Sequence, residues 1–145
     1  MLNSTQRSAA QAAHETAFDL SLIKDERIGD VLFLIASMIA LISTYQAEET
    51  IIIEEFSQTP QPDRSARTVA ASSWTFLIGS ILIAYVAIVR YREIAASAPD
   101  ASPLMLKGRW FTALGDIVSV IGFGLSALGD QLKAHASSEG PTIAR

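Results

Sequence analysis

The segment from Thr68 to Val89, TVAASSWTFLIGSILIAYVAIV, carries no charged side chain over about 22 residues. A helix needs roughly 20 apolar residues to cross the hydrocarbon of a bilayer. Inside hydrocarbon every backbone N–H and C=O must find its partner within the protein, which leaves an α-helix or a closed barrel. Two further runs have similar length: Ile28–Gln46, IGDVLFLIASMIALISTYQ, with Asp30 inside it, and Trp110–Gly129, WFTALGDIVSVIGFGLSALG, with Asp116 inside it. The chain has 145 residues, enough for one domain, and only 18% of them are charged, where a soluble domain has about 25%. A chain this short cannot wrap three such helices in soluble layers. The expected fold is therefore all-α, an integral membrane three-helix bundle occupying residues 28–133, with spans of about 28–46, 68–89 and 110–129.

The flanks extend this frame. In residues 1–27, Ala10, Ala13, Ala17 and Leu20 fall on one helical stripe, thickened by Phe18, Leu22 and Ile23, so a separate N-terminal cytoplasmic amphipathic helix is expected. The start of the chain lacks a basic residue followed by an apolar core, so no cleavable signal peptide is expected. No glycine or proline lies between Ala47 and Thr59, so the first span should continue beyond the membrane until Pro60 and Pro62 stop it. On that extension Ile52, Ile53 and Phe56 share a side and are candidates for partner binding. Residues 134–145 read as a flexible tail.

Charge sets the expected orientation. Arg7, Lys24, Arg27, Arg90, Arg92, Lys107 and Arg109 fall on one side, and Arg64, Arg67, Lys133 and Arg145 on the other. The positive-inside rule puts the N-terminus in the cytoplasm and the C-terminus outside, in a multi-pass protein of the cytoplasmic membrane. Tyr45 and Trp74 then mark the outer interface, Tyr91 and Trp110 the inner one.

Small residues recur in register. Gly108, Gly115, Gly122 and Gly129 are seven apart, with Thr112, Ser119 and Ser126 between them. Lipid supplies little hydrophobic force between helices, so association depends on close backbone approach, which small residues permit. A period of seven keeps such a row on one side of a left-handed supercoil. Gly29, Ala36 and Ser43 repeat the step in the first span, and Ser73, Ser80, Ala84 and Ala87 offer a narrow face in the second. The helix-packing candidates are Gly29, Ala36, Ser43, Gly108, Gly115, Ser119, Gly122, Ser126 and Gly129. Whether the third row meets a sister helix or a second copy of the chain stays open at this level.

The two carboxylates inside apolar runs are the candidate ion or proton site. Asp116 lies about 9 Å along the axis from Trp110, and a charge at the bilayer centre costs about 2.5–3.5 kcal/mol on insertion scales. Pairing with Arg90, Arg92 or Arg109 from the same side is one outcome, and a functional carboxylate is the other. Asp30 lies at the start of its span, where a negative charge complements the helix dipole. Asp130, at the outer end, reads as solvated.

Other chemistry is thinly represented. With no cysteine, disulfides, thiol catalysis and cysteine-ligated metals are excluded. Glu48, Glu49, Glu54 and Glu55 lack the Glu-x-x-His spacing of a di-iron bundle and the turn glycine of a calcium loop. His14 and His135 lie far apart in the polar termini. The basic residues are scattered, which argues against nucleic acid as a partner. No nucleotide loop or nucleophile motif appears. No enzyme activity, metal or cofactor is expected. The expected function is helix–helix association in the lipid bilayer, as a homo-oligomer or an accessory subunit of a membrane complex. The alternative is a small oligomeric ion or proton-coupled transporter or channel using Asp116.

Overall fold

The structure is a computed structural model that describes residues 4–57, 64–96 and 102–138, with side chains from residue 13 onward. It consists of three helices, α1 (Ser4–Ser57), α2 (Ser65–Ala96) and α3 (Pro103–Ser138), and the described residues contain no strand. Each helix contains a stretch long and apolar enough to cross a membrane.

The helices begin and run for local reasons. Pro103 occupies the first position of α3, where its fixed φ suits a helix and its missing N–H is not needed. The Leu106 amide then donates to the Ser102 carbonyl at 3.1 Å, closing the first turn. α1 contains no proline and a single glycine over its 54 residues, a length of about 80 Å at 1.5 Å per residue. The sequence pattern suggested a separate amphipathic helix over residues 1–27, but from Ser4 onward this segment is continuous with the first span. The cluster Lys24, Asp25, Glu26 and Arg27 ends the apolar run without ending the helix, since Lys, Glu and Arg are good helix formers. At the other end, α1 continues past Gln46 to Ser57, as an extended first span requires. Pro60 and Pro62 lie outside the described residues. The expected tail starting at residue 134 is shorter, because α3 holds its helix through Ser138. The remainder of that tail lies outside the described residues.

α2 stands between the other two. It packs along both α1 and α3, while the backbones of α1 and α3 do not approach each other. The α1–α2 seam is built from small residues in steps of seven. Gly29, Ala36 and Ser43 of α1 are buried, as are Ser65, Ser72, Gly79 and Val86 of α2. Gly29 faces Gly79, and the Ser72 hydroxyl donates to the Ala36 carbonyl at 2.8 Å. Carried one heptad further each way, this antiparallel register sets Leu22 opposite Val86 and Ser43 opposite Ser65. Leu22 and Val86 are the largest fully buried side chains described.

The glycine pair is a true close approach. A Cβ on Gly29 would stand 2.7 Å from Ile83 Cγ1 and 3.2 Å from the Gly79 carbonyl oxygen. A Cβ on Gly79 would stand 2.9 Å from Phe33 Cδ2 and 3.1 Å from the Gly29 carbonyl oxygen. Each glycine thus admits the other helix's backbone so closely that even a methyl group would force its neighbours to shift.

The α2–α3 seam uses alanine. Ala113, Ala127 and Ala134 of α3 are buried, and Ala134 clusters with Ala66 and Ala70 of α2. Near the middle, Phe33, Phe76 and Phe123, one from each helix, form a trio. Phe76 and Phe123 stack with centroids 5.2 Å apart, and Phe33 meets both edge-on at 5.3 and 5.6 Å. Phe33 and Phe123 bridge α1 and α3 where the backbones do not meet.

Candidate functional site

Two surfaces collect the residues singled out from the sequence. The first is the row of small residues on α3. At about 100° per residue, Gly115 lies two positions and some 200° from Ala113, so it faces away from α2. Gly108, Gly115 and Gly122 are exposed, and a Cβ built on any of them, or on Gly129, meets nothing within 4 Å. Ser119 and Ser126, in the same row, are exposed as well. Their neighbour Gly124, outside the row, is the glycine of α3 that turns to α2: a Cβ built on it would stand 3.8 Å from Leu77 Cδ1. Gly29, Ala36 and Ser43 therefore pack on a sister helix of the same chain, and the α3 row does not. Both an alanine row and a glycine row run along α3 at seven-residue steps, and the alanine row faces inward.

The second surface is a cleft of about 300 Å³ lined by Phe33 of α1, Ser80 and Ile83 of α2, and Asp116, Ser119 and Phe123 of α3. It occupies the notch between α1 and α3, over α2. Asp116 is half-buried here and makes no hydrogen bond or ion pair with any described residue. The two serine hydroxyls spend their protons on their own helices. Ser80 donates to the Leu77 carbonyl at 2.8 Å and Ser119 to the Gly115 carbonyl at 2.9 Å. Their oxygens keep acceptor lone pairs. The cleft thus holds one carboxylate and two hydroxyl acceptors between aromatic and aliphatic walls.

The other candidates fall elsewhere. Asp30 is exposed on α1 and does not line the cleft, so the two intramembrane-run carboxylates are not brought together. Ile52, Ile53 and Phe56 are exposed, Phe56 by 85%, on the part of α1 beyond Gln46. Arg90, a possible partner for Asp116 from sequence, is engaged by Glu26 through two contacts of 3.1 and 2.6 Å. That bidentate pair ties the end of α2 to α1, and sequence reasoning missed it because Glu26 and Arg90 are 64 positions apart. Asp130 is not simply solvated: it accepts from the Ser73 hydroxyl at 2.6 Å and from Lys133 at 3.2 Å. Beside it the Trp74 indole donates to Gln131 at 3.2 Å. Tyr91 and Trp110 are in ring contact at 5.4 Å, at the end of the α2–α3 pair opposite Trp74. Among the described residues no three His, Asp or Glu side chains gather in a way that could hold a metal ion.

Comparison with known proteins adds no relative to this geometry, since no protein-family model, no curated protein and no solved structure matches the chain.

Proposed function

We propose that this chain is a multi-pass integral membrane protein, N-terminus in the cytoplasm, that works by associating through the outward face of α3, as a homo-oligomer or as an accessory subunit of a membrane complex. The observation that carries the reading is the open glycine row. Gly108, Gly115, Gly122 and Gly129 meet nothing within 4 Å, and at 1.5 Å per residue they span about 30 Å, close to the thickness of bilayer hydrocarbon. A second α3 could approach along this row as closely as α1 approaches α2 at Gly29 and Gly79. A left-handed crossing would keep the seven-residue row in contact over its length.

The chain has no cysteine, so single cysteines report cleanly. Ser126→Cys, on the row, should cross-link between copies in native membranes, while Ile121→Cys, exposed about 130° around the helix, should not. Native mass spectrometry should show Gly115→Leu and Gly122→Leu reducing the complex to single chains. An unchanged copy number in both leucine variants would refute the reading.

A second reading, a small transporter or channel using Asp116, is favoured by that carboxylate's lack of any protein partner within its cleft.

A further inference from the structure

We infer that the Asp116 cleft is a binding site for a small organic monocation, an ammonium compound with apolar substituents. The inference rests on the second reading above and deepens it by naming the class of ligand; Ser119, which lines this cleft, also belongs to the α3 row.

Charge is the first argument. The lining contains a single ionisable group, Asp116, and no basic side chain. Of the three basic residues that the sequence offered as partners, Arg90, Arg92 and Arg109, none lines the cleft, and Arg90 is held by Glu26. One carboxylate facing an apolar surround is complemented by one positive charge, and the described residues lining the cleft supply none.

The donor set is the second. An octahedral magnesium or a six- to eight-coordinate calcium needs more oxygens, and more negative charge, than one carboxylate and two hydroxyls provide. An alkylammonium needs fewer. It takes the carboxylate as counter-ion, and any N–H it carries can donate to Ser80 Oγ and Ser119 Oγ, whose own protons are already committed to Leu77 and Gly115. Every hydroxyl in the cleft is therefore an acceptor, the polarity that a cationic donor requires.

Size and walls are the third. The cleft's roughly 300 Å³ is at the lower edge of small-molecule sites, about ten times the share of one water in the liquid. A bare ion would leave most of it empty. Phe33, Phe123 and Ile83 make the remaining walls, which suit alkyl substituents, and aromatic rings attract cations electrostatically as well. Phe33 and Phe123 also pack against each other and against Phe76, joining all three helices, so these walls are held by packing rather than by a loop.

The test uses the full chain in lipid nanodiscs and radiolabelled tetraethylammonium as the probe. Saturable binding is expected, displaced by tetramethylammonium and not by sodium or magnesium chloride at matched ionic strength. Losing the contact to a charged group weakens binding by about tenfold or more, so Asp116→Asn should do so, with Asp116→Glu retaining part of it. Phe123→Leu should weaken it several-fold, and Glu55→Gln, on the exposed extension of α1, should leave it unchanged. Native mass spectrometry on the same samples separates loss of the site from loss of folding. Absence of saturable binding to the wild-type chain would overturn the inference, as would unchanged binding by Asp116→Asn or equal displacement by inorganic cations. Sodium or proton flux that depends on Asp116 without tetraethylammonium binding would overturn it while leaving the transport reading in place.

Discussion

The eight glycines of this chain are not equivalent, and a pair of alanine substitutions should separate them by sign. Consider Gly79→Ala. The new methyl would lie 2.9 Å from Phe33 Cδ2 and 3.1 Å from the Gly29 carbonyl oxygen. One of these atoms sits mid-ring and the other is backbone, so neither can swing aside as the tip of a flexible side chain would. Phe33 is also held edge-on against Phe76 and Phe123, so turning its ring disturbs the contact between all three helices. An extra methyl in a tight contact costs about 1–3 kcal/mol, and replacing glycine by alanine inside a helix returns about 0.5–1 kcal/mol. The net expectation for Gly79→Ala is a loss of about 1–2 kcal/mol. Gly122→Ala receives the same helix benefit and meets no atom of its own chain within 4 Å. It should therefore leave the single chain as stable or slightly more stable. Trp74, Trp110 and their neighbours give a fluorescence signal for unfolding in mixed micelles, measured at a dilution where the protein is monomeric. The expected order is Gly122→Ala at or above wild type, with Gly79→Ala below both. If Gly79→Ala proves as stable as Gly122→Ala, the α1–α2 crossing is looser than described, and the account of the fold around Gly29 and Gly79 fails.

Two further outcomes follow from side-chain contacts. Glu26→Gln leaves Arg90 without its bidentate carboxylate, whose side chain is 40% exposed; a partly exposed pair of this kind is worth about 1 kcal/mol at most, so the unfolding midpoint should fall slightly and the Glu26→Gln, Arg90→Gln double variant should lose no more than the sum of the singles. Ala127, fully buried between α3 and α2, should tolerate glycine far better than leucine, since a larger side chain there must push α3 off α2; equal stability of Ala127→Leu and Ala127→Gly in the same unfolding assay would contradict the placement of that seam.

The all-helical architecture and the α1 side of the α1–α2 seam were legible in the sequence; the α2 side of that seam and the pairing on α3 were not. Charge-free length points to helices without reference to tertiary contacts, because the solvent it implies leaves few other structures. Gly29, Ala36 and Ser43 stand out because large residues surround them, and the same step of seven governs their burial. Gly79 was passed over because its row, Ser65, Ser72, Gly79 and Val86, mixes sizes, while the more uniform Ser73, Ser80, Ala84 row turns to α3 instead. On α3 two rows compete. Periodicity identifies a face but not what lies against it, so the sequence left the partner of the glycine row open, and in the structure the alanines occupy the inward face. Ala113, Ala127 and Ala134 gave a signal of their own, weaker because Val120 interrupts it. The Glu26–Arg90 and Ser73–Asp130 contacts and the phenylalanine trio depend on register between distant segments, and local pattern carries no such information. Asp116 was identifiable as an exception to its surroundings, but its cleft needed residues from three helices.

Energetics make the outward glycines hard to regard as passive. A face turned only to acyl chains is served equally well by leucine, isoleucine or valine, and α3 uses them: Val118, Ile121, Leu125, Leu128 and Leu132 are all more than half exposed. Glycine in a helix interior costs about 0.8–1.0 kcal/mol relative to alanine. Even if lipid halves that figure by enforcing backbone hydrogen bonding, the four open positions together forgo about 2 kcal/mol with nothing gained inside the chain. At Gly29 and Gly79 the same local cost is offset by the approach of two backbones and by the Ser72–Ala36 bond beside them. On the proposed reading, an equivalent gain for Gly108, Gly115, Gly122 and Gly129 comes from a surface outside the chain. The heptad step adds a geometric condition: a ligand or a single lipid tail would contact one or two of these positions, whereas another helix running along α3 would contact all four. That is why a second helix, rather than lipid or a small molecule, is the partner this face best accommodates.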